Sequence, residues 1–325
     1  MFKSIIGHEQ IKSYFEKAIV HNNVAQSYIF EGKSGIGKKS MAKELAKTLL
    51  CPESNFACNN CNSCYQIDAN THPDWIVIEK DTQFTKIETV RQKVVNEMNI
   101  KPYQSKYKII MISEAETLTP EGQNALLKTI EEPPSYGIVI LVTENRDKLL
   151  PTIKSRCTML RFNPLIESQI NKYLQTQQTG IFNKEVYVKF CDGSIGMLQK
   201  MLDDETFIEH RKQSIAYLKR IETADMIGVY SLVNEIVEEK EKIMDMLNFW
   251  FLFYRDVAFV KSMETSDLYF LDYKKYIKEQ AANVSFYRIG ANLDAIQEAK
   301  NKLNKNVYGL FVMENLLLSL KNRSK

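Results

Sequence analysis

The run Gly32-Lys33-Ser34-Gly35-Ile36-Gly37-Lys38-Lys39-Ser40 carries glycines and a lysine in the spacing G-x-x-x-x-G-K. Glycines at such positions let backbone N–H groups turn toward phosphate oxygens, and the lysine that follows reaches the outer phosphates. Tyr28-Ile29-Phe30 before the run reads as a strand, and Met41 to Leu50 after it reads as a helix. A helix beginning there adds its own partial positive charge. The stretch is a phosphate-binding P-loop, with Gly32, Gly35, Gly37 and Lys38 as its nucleotide-contacting residues. One position departs from the pattern. A hydroxyl should follow the lysine to ligate Mg²⁺, and Lys39 stands there. Ser40 is one residue late, roughly 100° around the helix.

A second departure lies downstream. Lys108-Ile109-Ile110-Met111-Ile112 reads as a buried strand, followed by Ser113-Glu114-Ala115-Glu116. A nucleotide hydrolase places an aspartate directly after this strand to hold the metal shell. Ser113 occupies that position, while Glu114 keeps the position that polarises water. Without Mg²⁺ the γ-phosphate loses its main charge neutraliser, so hydrolysis is expected to be very slow. Passive docking of ATP or ADP stays open, because backbone donors supply much of a P-loop's affinity and Lys39 could replace part of the metal's charge.

Cys51, Cys58, Cys61 and Cys64 have the spacing C-x6-C-x2-C-x2-C and account for four of the six cysteines. Thiolates three residues apart can turn onto one ion, and four satisfy tetrahedral Zn²⁺ with no open position for water. The expected role is structural. Asn55, which lies outside the residues described below, and Asn59, Asn60, Asn62 and Ser63 favour the tight turns of a small metal knuckle. Two alternatives stand beside zinc: four free thiols, and an iron–sulfur cluster on the ferredoxin-like triplet Cys58, Cys61, Cys64.

These sites need a scaffold. Tyr28–Phe30, Trp75–Ile78, Ile109–Ile112, Gly137–Val142 and Thr158–Phe162 are short, unalternating and rich in Ile and Val. Such runs suit strands covered on both faces, and so a five-stranded parallel sheet in an α/β domain. Strand signals fade after Asn163-Pro164-Leu165. Residues 164–203 read as a small helical unit, and 204–325 as an all-helical domain, with 1–163 as the P-loop domain carrying the 51–64 insertion. Amphipathic helices are expected over Phe207–Ile221, Met226–Val237, Ile243–Val260, Ser285–Leu303 and Val307–Leu320. Ile243–Val260 carries Asp245, Asn248, Arg255 and Asp256, which suits a buried or interface helix better than a membrane span. A net charge of +3 does not by itself point to nucleic acid. Met1 to Gln10 lacks a cationic start before an apolar core, so a cytoplasmic protein is expected.

Further motifs carry a resemblance. Ser113-Glu114-Ala115-Glu116, then Asn124 to Pro134 (NALLKTIEEPP), then Thr143-Glu144-Asn145, then Ser155-Arg156-Cys157 resemble the AAA+ subunits of DNA-polymerase clamp loaders. The four-cysteine insertion after the P-loop helix is similar to that of the bacterial, DNA polymerase III members. The resemblance implies an AAA+ module made of a P-loop domain and a helical lid, and a C-terminal helical collar. It implies a hetero-oligomeric ring with gamma/tau-type and delta-type subunits, acting on a sliding clamp and primer–template DNA. With degraded nucleotide motifs, it implies a subunit that is not an enzyme by itself. Such a subunit offers an arginine finger, which falls on Arg156, to a neighbour's ATP site. Motor subunits of this group carry Gly-Ser-x-Arg in the lid. Here Gly193-Ser194-Ile195-Gly196-Met197 lacks the arginine and reads as a helix-start turn. A local pair with a carboxylate such as Glu144 is the competing role for Arg156. The rival functions are an active gamma/tau-type ATPase, and a zinc module that binds nucleic acid near Lys43 and Lys47.

Overall fold

The computed structural model describes residues 1–54, 56–79, 91–176, 183–239, 242–263 and 267–322. Strands β1 (Ser27–Glu31), β2 (Trp75–Ile78), β3 (Lys108–Ile112), β4 (Gly137–Thr143) and β5 (Thr158–Arg161) form one sheet in the order β2-β3-β4-β1-β5. Every neighbouring pair is parallel. β3 and β4 are buried along their whole length, which is why their sequences do not alternate.

Alternate side chains feed two cores. Tyr28, Phe30, Ile109, Met111, Ile140 and Val142 enter one, with Phe15, Met41 and Leu45 from helices α1 (Glu9–Val20) and α2 (Lys38–Leu50). Asn62 and Ser63, expected in a turn, instead open a short helix, α3 (Asn62–Asp68). Ile29, Ile110, Ile112, Val139 and Leu141 enter the other core. They pack with Leu126 and Ile130 from α4 (Pro120–Glu131) and Ile153 from α5 (Pro151–Lys154). α4 starts as its sequence dictates: the Thr119 hydroxyl accepts from the Gly122 N–H at 3.2 Å, and Pro120 needs no donor in the first turn. Register sets Glu31 beside Thr143, and Ile112 beside Leu141. The residues after β1, β3 and β4 therefore gather at one sheet edge, where ligands of open parallel sheets bind.

Contacts divide the chain into two units, Met1–Gly180 with Cys191–Gln199, and Ile181–Phe190 with Lys200–Lys325. The first includes α6 (Glu167–Thr176); the second includes α7 (Lys184–Phe190). Helix α8 (Ile195–Asp203) begins in the first unit and ends in the second. The second unit continues with α9 (Phe207–Thr223), α10 (Met226–Glu238), α11 (Ile243–Ser262), α12 (Lys274–Asn283), α13 (Phe286–Asn304) and α14 (Gly309–Asn322). Trp250 of α11 is fully buried and donates to the Ser214 carbonyl at 2.8 Å. Among the described residues, no helix is long and apolar enough to cross a membrane.

Candidate functional site

Between β1 and α2 the chain turns on glycines. Gly35 (φ 70°) and Gly37 (φ 105°) hold left-handed backbone conformations that a side chain would strain. This path leaves the backbone N–H groups from Ser34 to Ser40 without a hydrogen bond to any described residue. They form a nest of donors at the start of a helix, which suits phosphate oxygens. Lys38 is only 6% exposed, and its ammonium donates to the Gly32 carbonyl and, at 2.5 Å, to the Lys33 carbonyl. An ammonium has three donors, so one remains. Burial pulls the Lys38 pKa down, against the pull of the Glu144 and Glu116 carboxylates. The loop lines a cavity of about 460 Å³ together with Glu114, Glu116 and Glu144. Gly35, Gly37 and Lys38 line this cavity, which suits phosphates; Gly32 is not among its lining residues, and its carbonyl accepts from the Lys38 ammonium.

The same edge does not fit Mg²⁺. Lys39 is turned to Glu79, just past β2, in a 3.1 Å ion pair. Ser113 is buried; its N–H donates to the Ile78 carbonyl at 2.8 Å, and its hydroxyl finds no partner. Among the described residues, the cysteine cluster is the group of three or more His, Cys, Asp or Glu side chains close enough to share an ion.

The Gly193–Gly196 run is the helix-start turn expected, leading into α8, and it also docks on the P-loop. The Gly196 N–H donates to the Gly35 carbonyl at 2.8 Å, and the Ser194 hydroxyl to the Ser34 carbonyl at 3.0 Å. Asp192 pairs with Lys33. His8 adds a 2.8 Å bond to the Ile36 carbonyl; burial pulls its pKa down and favours the neutral ring. Thr143 and Asn145 serve their own turn. The Asn145 N–H donates to the Thr143 hydroxyl at 3.1 Å, and the Asn145 side chain accepts from the Asp147 N–H at 2.9 Å.

Arg156 follows α5 and is held from one side. Its Nε meets Glu131, at the end of α4, at 2.8 Å. One terminal nitrogen, Nη1, donates to the Thr152 carbonyl and the Ser155 hydroxyl, both at 3.1 Å. The local carboxylate is thus Glu131 rather than Glu144. The guanidinium has five donors, and those on Nη2 have no partner among the described residues, with the side chain 41% exposed. Burial pushes the adjacent Cys157 thiol up to about 12, which makes it a packing residue and not a nucleophile.

The four insertion cysteines converge. Their sulfurs lie within 4.8 Å of one another, with Cys51 to Cys61 and Cys58 to Cys64 both at 3.9 Å. A Zn–S bond of about 2.3 Å gives a tetrahedral edge of about 3.8 Å, so the cluster can hold a metal ion and is compatible with zinc. The helix end and knuckle are tied by a Ser63 hydroxyl bond to the Leu50 carbonyl at 3.0 Å. Lys43 and Lys47 are not a free basic surface: they bond the Asp68 carbonyl and carboxylate, each at 2.9 Å. Glu79 and Asp192 carry no motif, and Glu131, though inside the Asn124 to Pro134 run, was not expected as the partner of Arg156.

A P-loop after the fourth strand in sheet order, an acidic turn after the second and a helical segment docked on the loop define a P-loop domain of the AAA+ type. The family described as "DNA polymerase III, delta subunit" matches residues 7–166. The chain is thus similar to the DNA polymerase III clamp-loader subunits. It is 29% identical over 310 residues to the DNA polymerase III subunit delta' of Bacillus subtilis, spanning 93% of both chains. The tau/gamma subunit of Haemophilus influenzae is 33% identical over 206 residues, 62% of this chain and 30% of that protein. Among solved structures, a gamma-subunit-related protein of Thermotoga maritima covers 98% of this chain and 99% of its own, at 16% identity and a TM-score of 0.49.

Proposed function

We propose that this chain is a delta'-like, non-hydrolysing member of the clamp-loader ring. In this reading residues 1–163 and 164–203 form the AAA+ module, and 204–325 the collar. It assembles with gamma/tau-type and delta-type subunits, helps load a sliding clamp onto primed DNA, and works in the cytoplasm. Zn²⁺ on Cys51, Cys58, Cys61 and Cys64 holds the insertion together. Arg156 reaches a neighbour's ATP, with Nη2 free to meet a γ-phosphate while Glu131 and Thr152 hold the rest of the group.

The observation that carries the non-hydrolysing reading is the state of the two metal positions. Lys39 is engaged with Glu79, and the Ser113 hydroxyl stands unpartnered where a carboxylate should neutralise the metal. The rival, an active gamma/tau-type ATPase, draws on the well-formed Lys38 and its loop. A Mg²⁺-dependent, DNA-stimulated ATPase assay on the purified chain separates the two. No turnover above background is expected, and appreciable turnover by this chain alone rejects the proposal.

A further inference from the structure

We infer that this P-loop binds the phosphates of a nucleotide without a divalent metal, Lys39 acting as the resident cation. The inference rests on reading the pocket as non-hydrolysing and goes on to specify its ligand. The N–H groups from Ser34 to Ser40 are unspent, and Lys38 keeps one donor. A nest of that kind binds an anion whether or not a metal accompanies it. Lys39 lines the same cavity, at the position from which a metal ligand is missing. It is half-exposed and spends one donor on Glu79, so two remain for an oxygen. This cation is covalently tethered, and chelation cannot remove it.

The carboxylates set the preferred length of the ligand. Glu114, Glu116 and Glu144 line this cavity as well. In a motor, Mg²⁺ offsets acidic groups of this kind against the third phosphate. With no metal seat, each further anionic phosphate meets like charge. A nucleoside diphosphate therefore suits the site better than a triphosphate.

The test is calorimetric titration of the full chain with ADP and with ATP, each in Mg²⁺ and in EDTA. ADP should bind with dissociation constants within about twofold in the two buffers, and ATP in EDTA should bind about tenfold more weakly than ADP. Lys39→Ala, at a half-exposed position, should weaken ADP by about tenfold at an unchanged melting temperature. Lys39→Thr combined with Ser113→Asp should make binding fall on chelation. Absence of ADP binding by the wild type, loss of binding in EDTA, or full affinity in Lys39→Ala overturns the inference. None of these outcomes bears on turnover, so the inference and the ATPase reading fail separately.

Discussion

Gly196→Ala probes the docking of the helical segment on the P-loop. A Cβ at Gly196 would lie 2.7 Å from the Gly35 Cα and 3.2 Å from its carbonyl oxygen. The nearer atom is about 0.7 Å inside ordinary contact, and both belong to backbone, which cannot swing aside as a side chain can. Overpacking of this kind costs about 1–3 kcal/mol, and the 2.8 Å bond from the residue 196 amide to Gly35 adds about 1 kcal/mol when it opens. Alanine returns up to about 1 kcal/mol as a better helix former. The net is a destabilisation of about 2 kcal/mol, or a melting temperature lower by about 4–8 °C. Gly290, inside α13, is the control: no atom lies within 4 Å of a Cβ built there. Gly290→Ala should stabilise by up to about 1 kcal/mol from helix propensity alone. Thermal melts give the signs, and hydrogen exchange at residue 196 locates the opening. Should Gly196→Ala match Gly290→Ala in stability, with residue 196 still protected, the backbone contact would not hold the loop.

Two further perturbations separate other parts of the account. Cys61→Ala should abolish stoichiometric zinc measured by elemental analysis and lower the melting temperature as chelation of the wild type does; zinc retained at full occupancy would contradict the four-sulfur site. Asp256, buried in α11, accepts from the Phe270 N–H at 2.9 Å and from Arg255 at 3.1 Å, yet burial outweighs both and raises its pKa from 3.8 to about 6. The folded state then holds its proton more tightly than the unfolded chain. Wild type should gain about 2–3 kcal/mol relative to Asp256→Asn as pH falls from above 6 to about 4, and a stability difference that stays flat over that range would refute the assignment.

The sheet was legible because burial on both faces writes itself into consecutive residues. Trp75–Ile78 and Gly137–Val142 need no partner to be read as strands, and every observed strand matches its expected run to within one residue at each end. The long helices of the second unit were legible from helical periodicity, since Leu247, Trp250, Phe253 and Val257 recur every three or four residues and bury one face of α11. Helix α12 was not anticipated: it buries only Ile277 and Ala281 in a highly charged stretch, too few for a periodic signal.

In the site, spacing revealed the P-loop glycines, Lys38 and the four cysteines because those residues meet within one local segment. What spacing could not reveal was who meets whom across the chain. Glu79 is 40 residues from Lys39, and Gly196 is 161 from Gly35, and each pair exists only because strand ends converge or a helix start docks. Asp74 shows the same limit. It reads as an ordinary acid, yet it is fully buried and accepts from the N–H groups of Tyr103, Gln104 and Ser105, fixing the turn before β3.

On the reading proposed above, this chain serves catalysis in a neighbour through Arg156. Reconstitution with gamma/tau-type and delta-type subunits, a sliding clamp and primed DNA tests it, comparing wild type with Arg156→Ala and Arg156→Lys. An arginine finger is worth about 10³–10⁵ at the site it serves, so one ATP site of the ring should fall silent and clamp loading should collapse. Lysine should not restore it, because a point charge lacks the planar fork. Assembly and the melting temperature of the variants should be near normal, as the side chain is 41% exposed. Unchanged ATPase and clamp loading in a fully assembled Arg156→Ala ring would contradict the account.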